Sequence, residues 1–466
     1  MRHSLLPLAC AVSLFFTGIA GAAEPAGRAE VERYARQLME KAYPADGPGA
    51  AILVARGDEV LYRGARGRAS IELGVPLDAG QVFRMGSISK QMAAAGLLTL
   101  VEQGRLSLDD PLSKFLPDYP GGGNVSVRML LNHTSGIKSY TGIPGVMQGP
   151  IMQDRTTAQM IETFKDLKPD FAPGQGYAYN NSGYVLVGAI IEKVSGQPWH
   201  AYLKQALFEP LGMRHTGYGL ESAGVIPGMV QGYTGEPGRP AKAGYLSMTQ
   251  PHAAGALVTS VDDLLRWNRA LHEGKVLKDT TYRQMITPVG KATGSRYGFG
   301  IESLTLRGQP MLEHGGGIHG FATRLLYLQG SDITVAVLQN TDSPAEGEEP
   351  GDVSRRLAAF VLGEPFPEPI AVAVDPARLQ SALGTYRAGP EQVFALRLVE
   401  GKPVLQEGER RHAVLPIGPD DFVYAHRLTR FRIERDGSGR AVAMRYFRMG
   451  DGEGERIPRS GDPLPP

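Results

Sequence analysis

Ser87-Ile88-Ser89-Lys90 places a hydroxyl and an amine three residues apart at the mouth of an apolar, helix-like run over residues 91–101. A serine hydroxyl is a weak nucleophile until a neighbouring group takes its proton. Residues three apart share one face of a helix, so Lys90 is expected beside the Ser87 hydroxyl. Gly86 permits a tight turn out of a preceding strand. If Ser87 starts the helix, the free backbone N–H groups there also favour developing negative charge. The chemistry within reach is acylation of Ser87. A second Ser-x-x-Lys, Ser135 to Lys138, fails the same test: Gly136 follows the serine, and Gly142, Pro144 and Gly145 come soon after. That density predicts a loop, with nothing to hold the pair on one face. Ser89 points about 100° away from Lys90 around a helix. No Gly-x-Ser-x-Gly elbow surrounds Ser87, which argues against an α/β-hydrolase triad.

Composition bounds the rest. The 466 residues have room for two or three domains and a large core. The formal charge of +1, with Lys and Arg scattered among acids, argues against a nucleic-acid partner. Arg2 and His3 precede an apolar stretch over 5–19 and the small residues Gly21-Ala22-Ala23. This pattern predicts a signal peptide over 1–23, cleaved after Ala23, and hence a periplasmic or secreted protein. The stretch is short for a membrane span, and too few apolar residues precede Cys10 for a lipoprotein box. Cys10 is the only cysteine, so the mature chain excludes disulfides, thiol catalysis and Cys-based metal sites.

Several elements must position the serine. Residues 28–42 read as an amphipathic helix, and 50–55 with 59–63 as a hairpin around Gly57-Asp58. Residues 105–180 mix short helices with long Gly- and Pro-rich loops, which usually build or cover a site. A second apolar helix is predicted over 184–194, and a capped one from Ser260 with Asp263 three residues on. A hairpin is expected over 321–339 and a last helix over 352–362. The proline-rich segment 364–370 reads as a linker between a domain over 24–363 and an all-β sandwich or barrel over 371–466.

Three motifs stand in order: Ser87-Ile88-Ser89-Lys90, Tyr179-Asn180-Asn181 and His314-Gly315-Gly316. With Phe83-Arg84-Met85-Gly86, Leu130-Leu131-Asn132-His133-Thr134-Ser135-Gly136 and Gly317-Ile318-His319-Gly320-Phe321, they resemble the serine β-lactamase and penicillin-binding superfamily over roughly 28–362. The nearest branch resembles class C β-lactamases, D-alanyl-D-alanine carboxypeptidases, D-aminopeptidases and related esterases. The tail resembles the lipocalin-like β domain that some members append. The resemblance implies an α/β (α+β) fold: an antiparallel sheet flanked by helices, a helical subdomain and a small all-β C-terminal domain.

The resemblance also implies the roles. Ser87 would be the nucleophile, Lys90 the group that accepts or relays its proton, and Tyr179 the shuttle to the leaving group. Which of Lys90 and Tyr179 is the base stays open. Asn181 would orient Lys90 and meet a substrate carbonyl. His314, Gly316 and Gly317 would line the substrate, with the N–H groups of Ser87 and Gly317 receiving the oxyanion.

Each residue has a plainer reading as well. Tyr177 and Tyr179 could be half-buried loop aromatics, Asn180 and Asn181 turn residues, and His133 a structural hydrogen bonder. Glu313, His314 and His319 lack metal-ligand spacing, so no metal or cofactor is expected. The third motif departs from the Lys-Thr-Gly of many β-lactamases: a neutral imidazole attracts an anion weakly, and Gly315 offers no hydroxyl. Arg324 could supply a cation or lie on the surface. The expected function is therefore an exported serine hydrolase acting on peptides, D-amino-acid amides or esters, with a small molecule or peptide as its partner. The alternatives are a class C β-lactamase, a silent binding or sensor module, and a β tail that itself binds lipid or peptide. Oligomeric state is open.

Overall fold

A computed structural model describes residues 24–220, 224–236, 238–389 and 392–461, so the expected signal peptide and Cys10 fall outside the described residues. The two hairpins marked by the sequence supply four consecutive strands of a six-stranded antiparallel sheet, with Glu59–Arg66 at one edge. Ala50–Arg56 pairs with Glu59–Arg66 on one side and with Ile333–Gln339 on the other. Phe321–Leu328 and Gln309–Ile318 follow, and Glu302–Leu306 ends the sheet. Ala50 lies opposite Gln339 and Arg56 opposite Ile333, so the two ends of this domain close one sheet.

Alternation along the strands divides the core in two. Ala51, Leu53, Ala336 and Leu338 face a cluster that contains helices Ser89–Glu102, Asn181–Ser195 and Val261–His272. Ile52, Val54, Val335 and Val337 face helices Arg28–Ala42 and Pro350–Val361. Helix Ser89–Glu102 is buried almost all round, as its apolar composition demands.

Local signals placed most elements. Ser260 caps its helix by accepting the Asp263 N–H, and Gly196 closes helix Asn181–Ser195 in the left-handed conformation at φ 78°. The second apolar helix begins at Asn181 rather than 184, because the Asn180 side chain caps it through the Gly183 N–H at 2.7 Å. One expectation needs correction: Ser87 does not open the long helix. It sits in a single 3₁₀ turn, Gly86–Ile88, ahead of Ser89. Gly86 at φ 54° swings the chain from strand Phe83–Arg84 into that turn.

After a short helix, Pro376–Ala382, eight strands from Gly384–Arg387 to Glu455–Gly461 form a closed barrel. Each strand pairs with the next and the first pairs with the last, leaving no open edge. Tyr386, Phe394, Leu396, Phe422, Phe431 and Met444 fill its interior. The barrel rests on the first domain through Arg427 with Glu349 at 2.5 Å, His412 with Glu346 at 2.9 Å, and the Leu428 N–H donating to Asp352 at 3.0 Å. No helix among the described residues is long and apolar enough to cross a membrane.

Candidate active site

The Gly86–Ile88 turn presents Ser87 to a cleft floored by helix Ser89–Glu102, and Lys90 lies one turn below it. Lys90 is fully buried, and burial holds its amine well below the usual lysine range. Its Nζ lies 3.0 Å from Ser87 Oγ, 2.9 Å from Asn181 Oδ1 and 2.9 Å from the Ala254 carbonyl. A neutral amine has two hydrogens and one lone pair. Asn181 Oδ1 and the Ala254 oxygen only accept, so in the neutral form both hydrogens go to them and the lone pair faces the serine hydroxyl, whereas the ammonium donates to all three.

Tyr179 projects from a loop over the same cleft. The residue is 40 % exposed, and its hydroxyl lies close enough to Ser87 for the two to interact. Burial raises its pKa and the Ser87 bond pulls the other way, leaving a protonated phenol. Two residues on, Asn181 is held by its N–H to Ser139 Oγ at 3.2 Å and by Nδ2 to Thr141 Oγ1 at 3.1 Å. Those bonds aim Oδ1 at Lys90. One Nδ2 hydrogen remains for another acceptor.

The third motif lies on strand Gln309–Ile318. Its outer neighbour Glu302–Leu306 pairs only with 309–313, so the edge from His314 onward has no strand partner there. Gly316 is required by contact: a Cβ there would collide with the Met85 carbonyl and Thr323 Oγ1, which are themselves hydrogen-bonded at 2.9 Å. A Cβ on Gly86 would lie 3.0 Å from Gly317 N. The two glycines let the strand close on the serine turn, bringing Gly317 N beside Gly86. Gly316→Ala is expected to cost about 1–3 kcal/mol by overpacking, visible as a lower Tm; an unchanged Tm would mean the strand and turn do not need this approach.

His314 is buried against Tyr297, whose O–H donates to Nε2 at 2.8 Å. Its Nδ1–H donates to the Gly315 carbonyl at 2.6 Å. Burial first, and then the nearby Lys90, push its pKa down to about 3. Both ring nitrogens are therefore committed within the protein, and the ring offers an anion no charge.

Alternation separates the other candidates. Glu313 points to the opposite face, where it pairs with Arg355 and, at 3.2 Å, with Arg324. Arg324 is thus neither a cleft cation nor a free surface residue. Glu313 and His314 cannot converge on one ion, and no group of three or more metal-ligating side chains occurs among the described residues. The second Ser-x-x-Lys lies in a loop, with Lys138 paired to Asp170 at 2.6 Å.

Sequence reasoning missed Tyr297, the Ala254 carbonyl, Ser139 and Thr141. Only Tyr297 carries a legible signal, an aromatic in Tyr297-Gly298-Phe299-Gly300. There a Cβ on Gly300 would press to 2.7 Å from the Lys90 backbone.

A D-aminopeptidase of Gluconobacter oxydans is 30% identical over 349 residues, which is 73% of this chain and 63% of that protein. The chain thus spans a little under two thirds of that relative's length. Esterase EstB of Burkholderia gladioli is 34% identical over 184 residues, 36% of this chain and 47% of its own. Among solved structures, a D-stereospecific amidohydrolase from Streptomyces sp. superposes with a TM-score of 0.61 at 27% identity, over 71% of this chain and 98% of that one. The octameric penicillin-binding protein homologue from Pyrococcus abyssi superposes with a TM-score of 0.64 at 25% identity. That likeness covers 90% of this chain and 96% of the other, and so takes in the barrel. The Beta-lactamase family profile matches residues 31–360, most of the first domain, and the chain belongs to that family.

Proposed function

We propose that the protein is an exported serine hydrolase that forms an acyl-enzyme on Ser87 and acts on D-amino-acid amides, peptides or esters. The observation that carries this reading is Lys90, fully buried, with its pKa lowered by that burial and its Nζ 3.0 Å from Ser87 Oγ. Ser87 Oγ attacks the substrate carbonyl as its proton passes to Lys90 Nζ. The oxyanion forms against the N–H groups of Ser87 and Gly317. Collapse expels the leaving group, which takes the Tyr179 phenol proton, and the Lys90 ammonium, 4.7 Å from the Tyr179 ring centroid, returns a proton to the phenolate. Water then releases the acyl group by the reverse path. A phenol kept protonated by burial favours Lys90 over Tyr179 as the base.

The substrate class follows from the third motif and the relatives. His314 spends both nitrogens internally, which leaves the carboxylate of a β-lactam or a D-Ala-D-Ala peptide without an ionic anchor from this position. The relatives include a D-aminopeptidase and an esterase. The apolar stretch ahead of Gly21-Ala22-Ala23 supports export.

The reading is tested by incubating the mature protein with a fluorophosphonate and, separately, a labelled penicillin, and mapping adducts by mass spectrometry. A fluorophosphonate adduct on Ser87, absent in Ser87→Ala, is expected. No adduct on Ser87 with either reagent ends the reading. Turnover of nitrocefin far above that of p-nitrophenyl esters and D-alanyl anilide would move the assignment to β-lactamase.

A further inference from the structure

His133 lies outside the three motifs, yet every polar contact it makes bears on the residue that carries the proton. It is 1 % exposed and sits at φ 63°, a left-handed conformation that side-chain-bearing residues adopt at a cost. Its carbonyl accepts the Ala178 N–H at 3.1 Å, and its Nδ1 accepts the Asn180 N–H at 3.2 Å. The two residues flanking Tyr179 are therefore both tied to this one side. The imidazole also packs 4.5 Å from the Tyr179 ring and 4.5 Å from the Tyr297 ring. Since Nδ1 accepts, the proton is on Nε2, and that atom has no hydrogen-bond partner among the described residues.

This bracket matters because burial alone does not place Tyr179. The residue is 40 % exposed, and beside its ring contacts with His133, Tyr297 and His314 its position depends on the backbone beneath it. Following residues are held by the same segment: Asn180 Nδ2 donates to the Ile137 carbonyl and the Asn181 N–H to Ser139 Oγ. Those bonds fix the far side of the loop. Among the described residues, only His133 holds both neighbours of Tyr179 by hydrogen bonds.

We propose that His133 is a positioning residue for the reaction, setting the Tyr179 phenol against Ser87 by bracketing the loop at Ala178 and Asn180. The inference rests on Tyr179 being the proton carrier proposed above. Burial, with Lys90 and His314 nearby, keeps the ring neutral, so Nδ1 remains an acceptor.

Three substitutions separate the acceptor from backbone strain and from bulk. Asparagine tolerates positive φ and places Oδ1 close to where Nδ1 stood. Glycine relieves the backbone but supplies no acceptor. Leucine keeps bulk and supplies no acceptor. With D-alanyl anilide as substrate, kcat of His133→Gly and His133→Leu is expected to fall at least about tenfold with KM little changed, since a displacement near 1 Å costs up to about 10²-fold. His133→Asn should stay within about threefold of wild type. If the leucine variant fails to fold, the glycine variant gives the same comparison.

A double-substitution cycle supplies the readout that a merely structural role would not move. If His133 acts through Tyr179, His133→Gly adds little to the loss already caused by Tyr179→Phe. Wild-type kcat in His133→Gly, an equal loss in His133→Asn, or additive losses in the double variant would each overturn the inference and leave the acyl-enzyme reading standing. Wild-type kcat in Tyr179→Phe would overturn both.

Discussion

Replacing Lys90 with methionine is expected to reduce turnover at least about 10³-fold, because the serine loses the group that takes its proton. Methionine is unbranched and of similar length, so it can occupy the same channel. Stability carries a second, independent signature. Burial depresses the Lys90 pKa in the folded protein below its ordinary value of 10.5. In the window between the two values the unfolded chain binds a proton that the folded chain does not, so the lysine penalises folding there. The penalty shrinks as pH rises toward 10.5 and grows as pH falls, by at most about 1.4 kcal/mol per pH unit. The stability of wild type relative to Lys90→Met should therefore climb with pH in denaturant titrations across that range. The variant also leaves Asn181 Oδ1 and the Ala254 carbonyl short of a donor, at about 1–3 kcal/mol each. That offset does not depend on pH, so the slope is the diagnostic quantity. A flat difference would show that Lys90 is charged in the folded protein and is not the base.

Tyr179→Phe is expected to lower kcat by about 10²–10⁴-fold on an anilide, whose leaving nitrogen must be protonated as it departs. A p-nitrophenyl ester should suffer less, since its phenolate leaves without a proton. The ratio of the two losses distinguishes the tyrosine's roles. Equal losses on both substrates would place Tyr179 at attack, as a base, rather than at departure. The raised pKa of this phenol, set by burial, argues for departure.

Legibility in the sequence tracked the range of the interactions. Helix Arg28–Ala42, the hairpin around Gly57-Asp58 and the Ser260 cap were readable because periodicity, turn chemistry and capping act within a few residues. The choice between sandwich and barrel was not readable, since closure depends on Thr385 and Tyr386 meeting Gly461 and Arg459 at the far end of the domain. The site divides in the same way. Ser87 and Lys90 were placed together by a three-residue spacing, and they remain in contact although the helix starts two residues later than expected. Arg324 was misjudged because strand alternation puts it with Glu313, on the face away from the cleft.

The order of residue types alone was enough to specify a candidate nucleophilic serine, an amine within reach of it, a candidate phenol and a glycine-rich strand. It could not specify protonation. The Lys90 pKa is depressed because a whole core closes over it, and its Nζ is held beside Ser87 by the Ala254 carbonyl, 164 residues away. His314 offers no charge because Tyr297 and its own strand occupy both nitrogens. Charge state follows from desolvation and from which distant groups accept or donate, and those are properties of the packed chain rather than of any local spacing.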